Sequence, residues 1–424
     1  DELSPGDPMY NIPWVMRLSG PINFDAMQMA LDKLIARHES LRTTFPSKDG
    51  EPVQLIAEHM PVKVVAEDLR DCSQQQIQAR LTKLAQVSMN LRTGPLVAMH
   101  LLQTDNDETL LSLVIHHIIF DAWSHNIVLR ELAGFYNAEL GIAPFAPPQL
   151  NIEFADYAAW QRDWLGSQDY VRQLEFWTTQ LDDAPGVLEL HTDKPRPPVQ
   201  TSNGANAYRM LPKDLLEGVR KISVERGCTL FAVLMAAFNV LMSRYSGQED
   251  IVVGTPIAGR KRTELESIVG FFLHTLAIRG DLSGNPSFVE FVDRLNRTVL
   301  EAFAHQELPF ESLVEALDPE RDTSRSPIFQ VMFVLQHVDV DWSMFNDIKA
   351  EPVEFEFGTA KYDIMFFVFD ANDQLSVRLE YNTDLFEPAT IERMIDHFEV
   401  LLTAIVADAS QTIGELPLLT ASEE

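Results

Sequence analysis

A short apolar run that ends in two adjacent histidines constrains this chain more than any other feature. The run Leu110–Ile115 is apolar except for Ser112, and an amphipathic helical pattern begins shortly after the histidines. So short a run, flanked by polar residues and ending in β-branched residues, predicts a buried strand. A strand that turns sharply into a helix delivers its last side chains to the helix N-terminus, where unpaired amides favour negative charge. Two imidazoles at such a place indicate acyl-transfer chemistry.

The two histidines, His116 and His117, cannot serve one ligand if they end a strand. Neighbouring side chains on an extended backbone point to opposite faces, so we expect one imidazole in a cavity and the other packed inside with a local hydrogen bond. This divergence also argues against a metal site, because no Cys or further His lies at ligand spacing. Asp121 either belongs to the reactive group or only caps the helix, since Asp is favoured at that position.

The composition limits which classes of partner and which cellular compartment are expected. The chain has 33 Lys and Arg against 63 Asp and Glu, a net charge of −30, which argues against nucleic acid and anionic membranes as partners. Cys72 and Cys228 match no metal or redox spacing, so we expect a reduced, cytoplasmic setting. The most apolar run, Leu230–Met242, is shorter than the roughly 17 residues of the shortest membrane span and contains Asn239. It is expected to be the central helix of a core.

Length and periodicity predict two lobes. At 424 residues the chain exceeds what one hydrophobic core usually supports. Strand-rich segments with long helices on one face are typical of an α/β fold, here an α+β two-layer sandwich, and the proline-rich stretch 193–204 is the clearest linker. The predicted helices are 25–38, one reaching 140, 154–181, 213–225, 229–245 and 388–407, and the predicted strands are 52–55, 62–65, 96–101, 110–115, 251–254, 328–335, 364–369 and 375–381.

The stretch His116–Ser124, HHIIFDAWS, resembles a family signature. HHxxxDxxS is found in the condensation domains of nonribosomal peptide synthetases and in the related chloramphenicol acetyltransferase-like acyltransferases. Further stretches resemble the condensation branch in order and spacing, so the resemblance covers essentially the whole chain. They are Arg37–Phe45 for the second motif, Asp156–Gln161 for the fourth, Ile268–Leu276 for the fifth, His305–Glu311 for the sixth and Arg321–Phe333 for the seventh.

The resemblance implies two acetyltransferase-like lobes arranged as a V-shaped pseudo-dimer with a central tunnel. We expect the N-terminal lobe to span 1–177 and the C-terminal lobe 178–414. Residues 415–424 resemble the start of a linker to a following adenylation domain. The strand that precedes the first helix in the family is expected to be missing, because the chain begins only at Asp1.

The resemblance also implies peptide-bond formation in the biosynthesis of an antibiotic or another secondary metabolite. A donor acyl or peptidyl thioester is joined to the amine of an aminoacyl acceptor, and both substrates arrive on 4'-phosphopantetheine arms of carrier domains. The implied partners are an upstream donor carrier, a downstream acceptor carrier and an adjacent adenylation domain. No cofactor or metal is expected in the domain itself, which is expected to be monomeric.

The family motifs assign roles to particular residues. His117 is expected to orient the amine and accept its proton, with His116 beside it facing the lobe interior. Asp121 completes the catalytic motif and is expected to pair with Arg42, as its counterparts do in the family, for the architecture of the site. Ser124 is expected to cap the helix.

Two residues depart from the family pattern near the site. Ala122 stands where Gly is usual, and His274 stands where the fifth motif usually carries Asn. The backbone amides near Ala122 and Trp123 are candidate oxyanion donors. His274 is a candidate substrate contact that adds a group able to take a charge near neutral pH.

Other functions share part of the pattern. The histidine motif alone would suit an acyltransferase with a coenzyme A donor, an epimerisation domain or a non-catalytic condensation-like recruitment domain. The additional motifs argue against the coenzyme A-dependent acyltransferase, and the second motif argues against the epimerisation domain. The intact His117 and Asp121 argue against the non-catalytic domain. Heterocyclising relatives carry aspartates in place of the first histidines. Arg321–Arg325 and Trp123 favour the subtype that joins an L-configured donor to an L-configured acceptor.

Overall fold

The structure is a computed structural model that describes residues 6–320, 322–337, 344–345, 348–371 and 373–424. The helices are α1 Phe24–Arg37, α2 Gln74–Ala85, α3 Ala122–Glu139, α4 Phe154–Trp164, α5 Gln168–Gln180, α6 Lys213–Arg226, α7 Leu230–Ser246, α8 Phe288–Ala304, α9 Phe310–Leu317 and α10 Pro388–Ala407. The strands are β1 Asn11–Ser19, β2 Thr43–Thr44, β3 Ser47–Lys48, β4 Glu51–Pro52, β5 Leu55–Ile56, β6 Val64–Asp68, β7 Val97–Asp105, β8 Glu108–His116, β9 Gly204–Met210, β10 Asp250–Ile257, β11 His274–Asp281, β12 Val331–His337, β13 Lys349–Pro352, β14 Ile364–Ala371 and β15 Gln374–Asn382.

The chain divides into two compact units, and the division is discontinuous. Unit 1 contains the described residues up to Gly166, Ala258–Leu273 and the described part of 340–357, and unit 2 contains the rest. This differs from the single boundary at 177–178 that the sequence predicts. The chain returns to unit 1 twice because 258–273 bonds to the start of α3 and β13 pairs with β1. Such long-range pairings leave no local signal in the sequence.

The sheet of unit 1 has five strands in the order β13-β1-β8-β7-β6. β1 precedes α1 and pairs antiparallel with β8 from Asn11 opposite His116 to Ser19 opposite Glu108. The expectation that a strand before the first helix is missing is therefore wrong. The sequence does not indicate this strand because it contains Pro13. Proline lacks the amide donor that a central strand needs, so its presence argues against a central strand.

Strand β8 lies at the centre of this sheet and is buried along almost its whole length. Leu111 and Leu113 pack in the core that contains α1 and α3, whereas Leu110 packs in a smaller core with α2. Burial on both faces explains why β8 reads as a continuous apolar run. Unit 1 thus has helices on both faces of its sheet, where the sequence predicts them on one.

The sheet of unit 2 has six strands in the order β11-β10-β12-β14-β15-β9. Helix α7 forms the centre of its core, and every residue from Ala232 to Met242 is buried. This confirms the prediction of a central core helix. Leu416 is buried in the same core, and its carbonyl accepts a hydrogen bond from Arg244 at 3.0 Å. Residues near the end of the chain therefore pack on unit 2.

Within the described residues, no single helix is long and apolar enough to cross a membrane. Helices α6 and α7 meet that requirement only together, by length and composition, and they are bent by 108° relative to each other.

Candidate active site

The two histidines lie where β8 turns into α3, as the sequence predicts. His116 is the last residue of β8, His117–Ile119 form one 3-10 turn, and α3 begins at Ala122. The His116 side chain is 8% exposed, and its Nδ1 accepts a hydrogen bond from the Ile118 amide at 3.1 Å. This buried, locally bonded imidazole fits the structural role predicted for His116.

The imidazole of His117 is held by its own turn. Its Nδ1 lies 2.7 Å from the Phe120 carbonyl oxygen, and its ring packs edge-on against Phe271 with centroids 4.9 Å apart. A carbonyl oxygen can only accept, so Nδ1 carries the hydrogen and donates it. In the neutral ring the lone pair is then on Nε2, which becomes the nitrogen that can accept a proton.

Asp121 is buried and fully engaged in hydrogen bonds. It is the N-cap of α3, and its Oδ1 accepts from the Ser124 amide at 2.8 Å. Its Oδ2 accepts from the Phe272 amide at 3.1 Å. The Arg260 guanidinium donates to both carboxylate oxygens, at 2.9 and 3.1 Å. The side chains of Arg260 and Asp121 are only 1% and 2% exposed, so this is a buried ion pair.

The predicted pairing of Asp121 with Arg42 is wrong, because Arg260 takes that place. Arg42 donates to the Ala57 carbonyl at 2.6 Å and lies 3.5 Å from a Glu39 carboxylate oxygen. Burial lowers the pKa of Arg260 from its ordinary value, and the adjacent Asp121 opposes that shift. Burying two opposite charges as a pair costs far less free energy than burying either charge without its partner.

Ser124 is not the helix cap that the sequence predicts, since Asp121 occupies that position. The Ser124 hydroxyl instead joins the helix to the segment 258–273. It lies 2.7 Å from Asp121 Oδ1, 3.0 Å from the Gly270 carbonyl and 3.1 Å from the Gly270 amide. A Cβ on Gly270 would lie 2.4 Å from the Phe154 ring, so this close approach requires glycine.

Ala122 and Trp123 are the first residues of α3, and both are exposed. The first amides of a helix have no acceptor inside the helix, so these two can donate to a ligand. The Trp123 indole, 43% exposed, donates from its Nε1 to the Glu266 carbonyl at 2.9 Å. Arg260 lies 4.0 Å from the Phe272 ring centroid and 6.0 Å from the Trp123 ring, which ties the indole to the buried pair.

Comparison with known proteins identifies the family. A family model described as "Condensation domain" matches residues 1–424. The chain belongs to the condensation domain family. It is 44% identical to one of the linear gramicidin synthase proteins of Brevibacillus parabrevis, over 100% of this chain and 6% of that protein. It is 39% identical to chondramide synthase cmdD of Chondromyces crocatus, over 98% of this chain and 11% of that protein.

Solved condensation-type structures confirm the α/β fold. The X-domain from teicoplanin biosynthesis has a TM-score of 0.89 and 26% identity, over 99% of this chain and 94% of that chain. A holo four-domain nonribosomal peptide synthetase has a TM-score of 0.90 and 23% identity, over 98% of this chain and 32% of that chain, which is a likeness of fold. Condensation domains of these synthetases form amide bonds, so the predicted acyltransferase activity is confirmed for the domain.

This condensation domain contains a third imidazole near the site that the sequence motifs do not single out. His125 follows Asp121 by one helical turn, and its ring packs against Trp14 with centroids 3.6 Å apart. Burial lowers the pKa of His125 to about 4, so the ring is neutral near pH 7. Its Nε2 has no hydrogen-bond partner in the part of the chain that the structure describes. The sequence indicates the position of His125 only through its spacing of one helical turn from Asp121.

His274, the other departure from the family pattern, lies in unit 2. It is the first residue of β11, is buried and pairs with Ile257. Its predicted contact with substrate stays a prediction. Arg321, which contributes to the subtype argument, lies outside the described residues. Among the residues that the structure describes, no group of three or more His, Cys, Asp or Glu is arranged to hold a metal ion.

Proposed function

We propose that this condensation domain transfers the acyl or peptidyl group of an upstream carrier to the amine of an aminoacyl group on a downstream carrier, and that His117 accepts the proton of that amine. The observation that carries the proposal is the Nδ1–H bond from His117 to the Phe120 carbonyl at 2.7 Å. It holds the imidazole in the tautomer whose Nε2 can act as a base.

The chemistry suits a modest base. A free α-amino group has a pKa of about 7.7–8.0, so on the order of a tenth of it is neutral at pH 7. The amine attacks the thioester carbonyl, a C–N bond forms, and the C–S bond breaks. The proton passes through His117 to the departing thiolate. Fixing the two reactants can lower the barrier by roughly 7–11 kcal/mol, so positioning supplies much of the rate.

The residues around His117 have separate roles in this proposal. The amides of Ala122 and Trp123 donate to the oxyanion that develops on the thioester carbonyl. Asp121 is not a base here, because its carboxylate is committed to Arg260, Ser124 and Phe272. The Arg260–Asp121 pair acts by fixing the start of α3, which carries the oxyanion donors.

The finer aspects of the function are also part of the proposal. The sequence features Trp123 and Arg321–Arg325 favour an L-configured donor and an L-configured acceptor. The implied partners are the two carrier domains with their 4'-phosphopantetheine arms and an adjacent adenylation domain, since the named relatives are peptide synthases of which this chain matches only a small part. A reduced, cytoplasmic setting is also part of the proposal, because the spacing of Cys72 and Cys228 matches no redox motif.

The test uses the purified domain with a donor aminoacyl-carrier and an acceptor aminoacyl-carrier, and detects the dipeptidyl-carrier by mass spectrometry. We expect product only when both substrates are carrier-bound. Equally efficient amide formation from a coenzyme A donor would instead favour the coenzyme A-dependent acyltransferase. Absence of product with every donor and acceptor pair, in a folded domain, would contradict the proposal.

A further inference from the structure

The ring that packs edge-on against the His117 imidazole belongs to Phe271, in the distant segment 258–273. The two ring centroids are 4.9 Å apart and the ring planes are inclined at 81°. Perpendicular contacts of this kind are directional, because the positive edge of one ring meets the negative face of the other. The Phe120 carbonyl holds one nitrogen of the imidazole, and the Phe271 ring restricts the inclination of the imidazole plane.

The backbone on both sides of Phe271 is held by α3. On one side, the carbonyl and the amide of Gly270 lie 3.0 and 3.1 Å from the Ser124 hydroxyl. On the other side, the Phe272 amide donates to the Asp121 carboxylate at 3.1 Å. Helix α3 begins close to the imidazole, so these bonds set the distance between the two rings.

The two adjacent phenylalanines of the segment have different surroundings. Phe272 is 1% exposed, and its ring packs against Phe154 and Tyr157 with centroids 5.0 and 4.7 Å apart. Phe271 is only partly buried, and its ring contacts the His117 imidazole instead. Phe272 therefore stabilises the core of unit 1, whereas Phe271 is placed to act at the site.

A further bond to the segment comes from outside α3. Ser40 lies in the 3-10 turn Glu39–Arg42 and is 2% exposed. Its hydroxyl donates to the Val269 carbonyl at 2.6 Å. Val269 is itself fully buried, so this bond holds the segment two residues before Phe271.

We propose that Phe271 is a positioning residue for His117, and that Ser40 acts through Phe271 by holding the segment that carries it. This inference rests on the proposed role of His117 as the proton acceptor. Proton transfer requires Nε2 of His117 to lie within hydrogen-bond reach of the amine. A displacement of about 1 Å in such a site can lower a rate by roughly 10²-fold. Phe271 prevents that displacement without itself taking the proton.

The test measures single-turnover amide formation between carrier-bound donor and acceptor, at several acceptor concentrations. Phe271→Leu should lower the rate at saturation by roughly 10- to 100-fold, with little change in the acceptor concentration that gives half of that rate. Phe271→Tyr keeps an aromatic ring and should retain most of the rate. Phe271 is only partly buried, so both variants should stay folded by circular dichroism. If Phe271→Leu unfolds, Phe271→Met gives the same comparison.

The matched control is Phe145→Leu. Phe145 is also partly buried and makes an edge-on contact in unit 1, with Phe135 at a centroid distance of 5.1 Å. This variant should keep the wild-type rate. Ser40→Ala should lower the rate in the wild-type background and have a smaller effect in Phe271→Leu, because residues that act through one another are not additive.

Three results would overturn the inference. They are a wild-type rate in Phe271→Leu, an equal loss in Phe271→Tyr and Phe271→Leu, and the same fold-change from Ser40→Ala in both backgrounds. His117→Ala in the same assay separates this inference from the proposed function. A loss in His117→Ala with no loss in Phe271→Leu contradicts the inference alone, whereas full activity in His117→Ala contradicts both.

Discussion

Removing the Arg260 side chain should destabilise unit 1 strongly. Arg260→Met keeps much of the aliphatic volume against the Phe272 ring but leaves the buried Asp121 carboxylate without its cation. The amides of Ser124 and Phe272 would still donate to that carboxylate. Breaking one member of a buried pair costs roughly 3–5 kcal/mol, which corresponds to a fall in melting temperature of about 6–20 °C for a unit of this size.

Thermal unfolding followed by circular dichroism measures this effect, and Arg42→Met is the matched control. Arg42 is a partly buried arginine whose ion pair with Glu39 spans 3.5 Å, so its loss should cost much less. The double variant Arg260→Met with Asp121→Asn should lose less stability than the sum of the losses in the two single variants. The reason is that the double variant has no unpaired charge at this buried position. Equal melting temperatures for wild type and Arg260→Met, or a larger loss in Arg42→Met, would refute the reasoning.

Three further predictions concern pH. Burial raises the pKa of Glu153 from its ordinary 4.5 to about 7. The contribution of Glu153 to stability is therefore fully present below pH 4.5 and is lost as the pH rises through 7. Glu153→Gln should have a higher melting temperature than wild type above pH 7, and a difference in melting temperature that is independent of pH would contradict this. His125 has its pKa lowered to about 4 from 6.5, so wild type should lose stability relative to His125→Gln as the pH falls from 6.5 toward 4; parallel pH–stability curves would count against the shift. His274→Asn should flatten the pH–rate profile of condensation between about pH 5 and 8, and identical profiles would show that the substitution is silent.

The sequence predicts those elements of the fold whose consecutive residues are buried, because they appear as continuous apolar runs. Strand β8 and helix α7 are found because each is buried along nearly its whole length. The predicted helix 154–181 is instead two helices, α4 and α5, separated by residues 165–167, and Ser167 caps the second. Strand β1 escapes prediction because of Pro13, and helix α2 because its polar face dominates its composition.

The candidate site could be predicted only where the motif is contiguous. His116, His117 and Asp121 follow from the strand-to-helix turn and from the family signature. Arg260 does not, because it lies 139 residues from Asp121 and reaches it only through the folded segment 258–273. One local signal pointed to it, since Arg260 opens the only run of three basic residues in this acidic chain.

The most direct test of the account is the single-turnover rate of amide formation in His117→Ala, measured with carrier-bound donor and acceptor. The account predicts a folded variant whose rate falls roughly 10²–10⁴-fold, the range expected for loss of general base assistance. His116→Asn is the matched control, because asparagine can also accept the Ile118 amide, and it should keep most of the wild-type rate. Full activity in His117→Ala, with His116→Asn folded but inactive, would contradict the account and move the proton acceptor to His116.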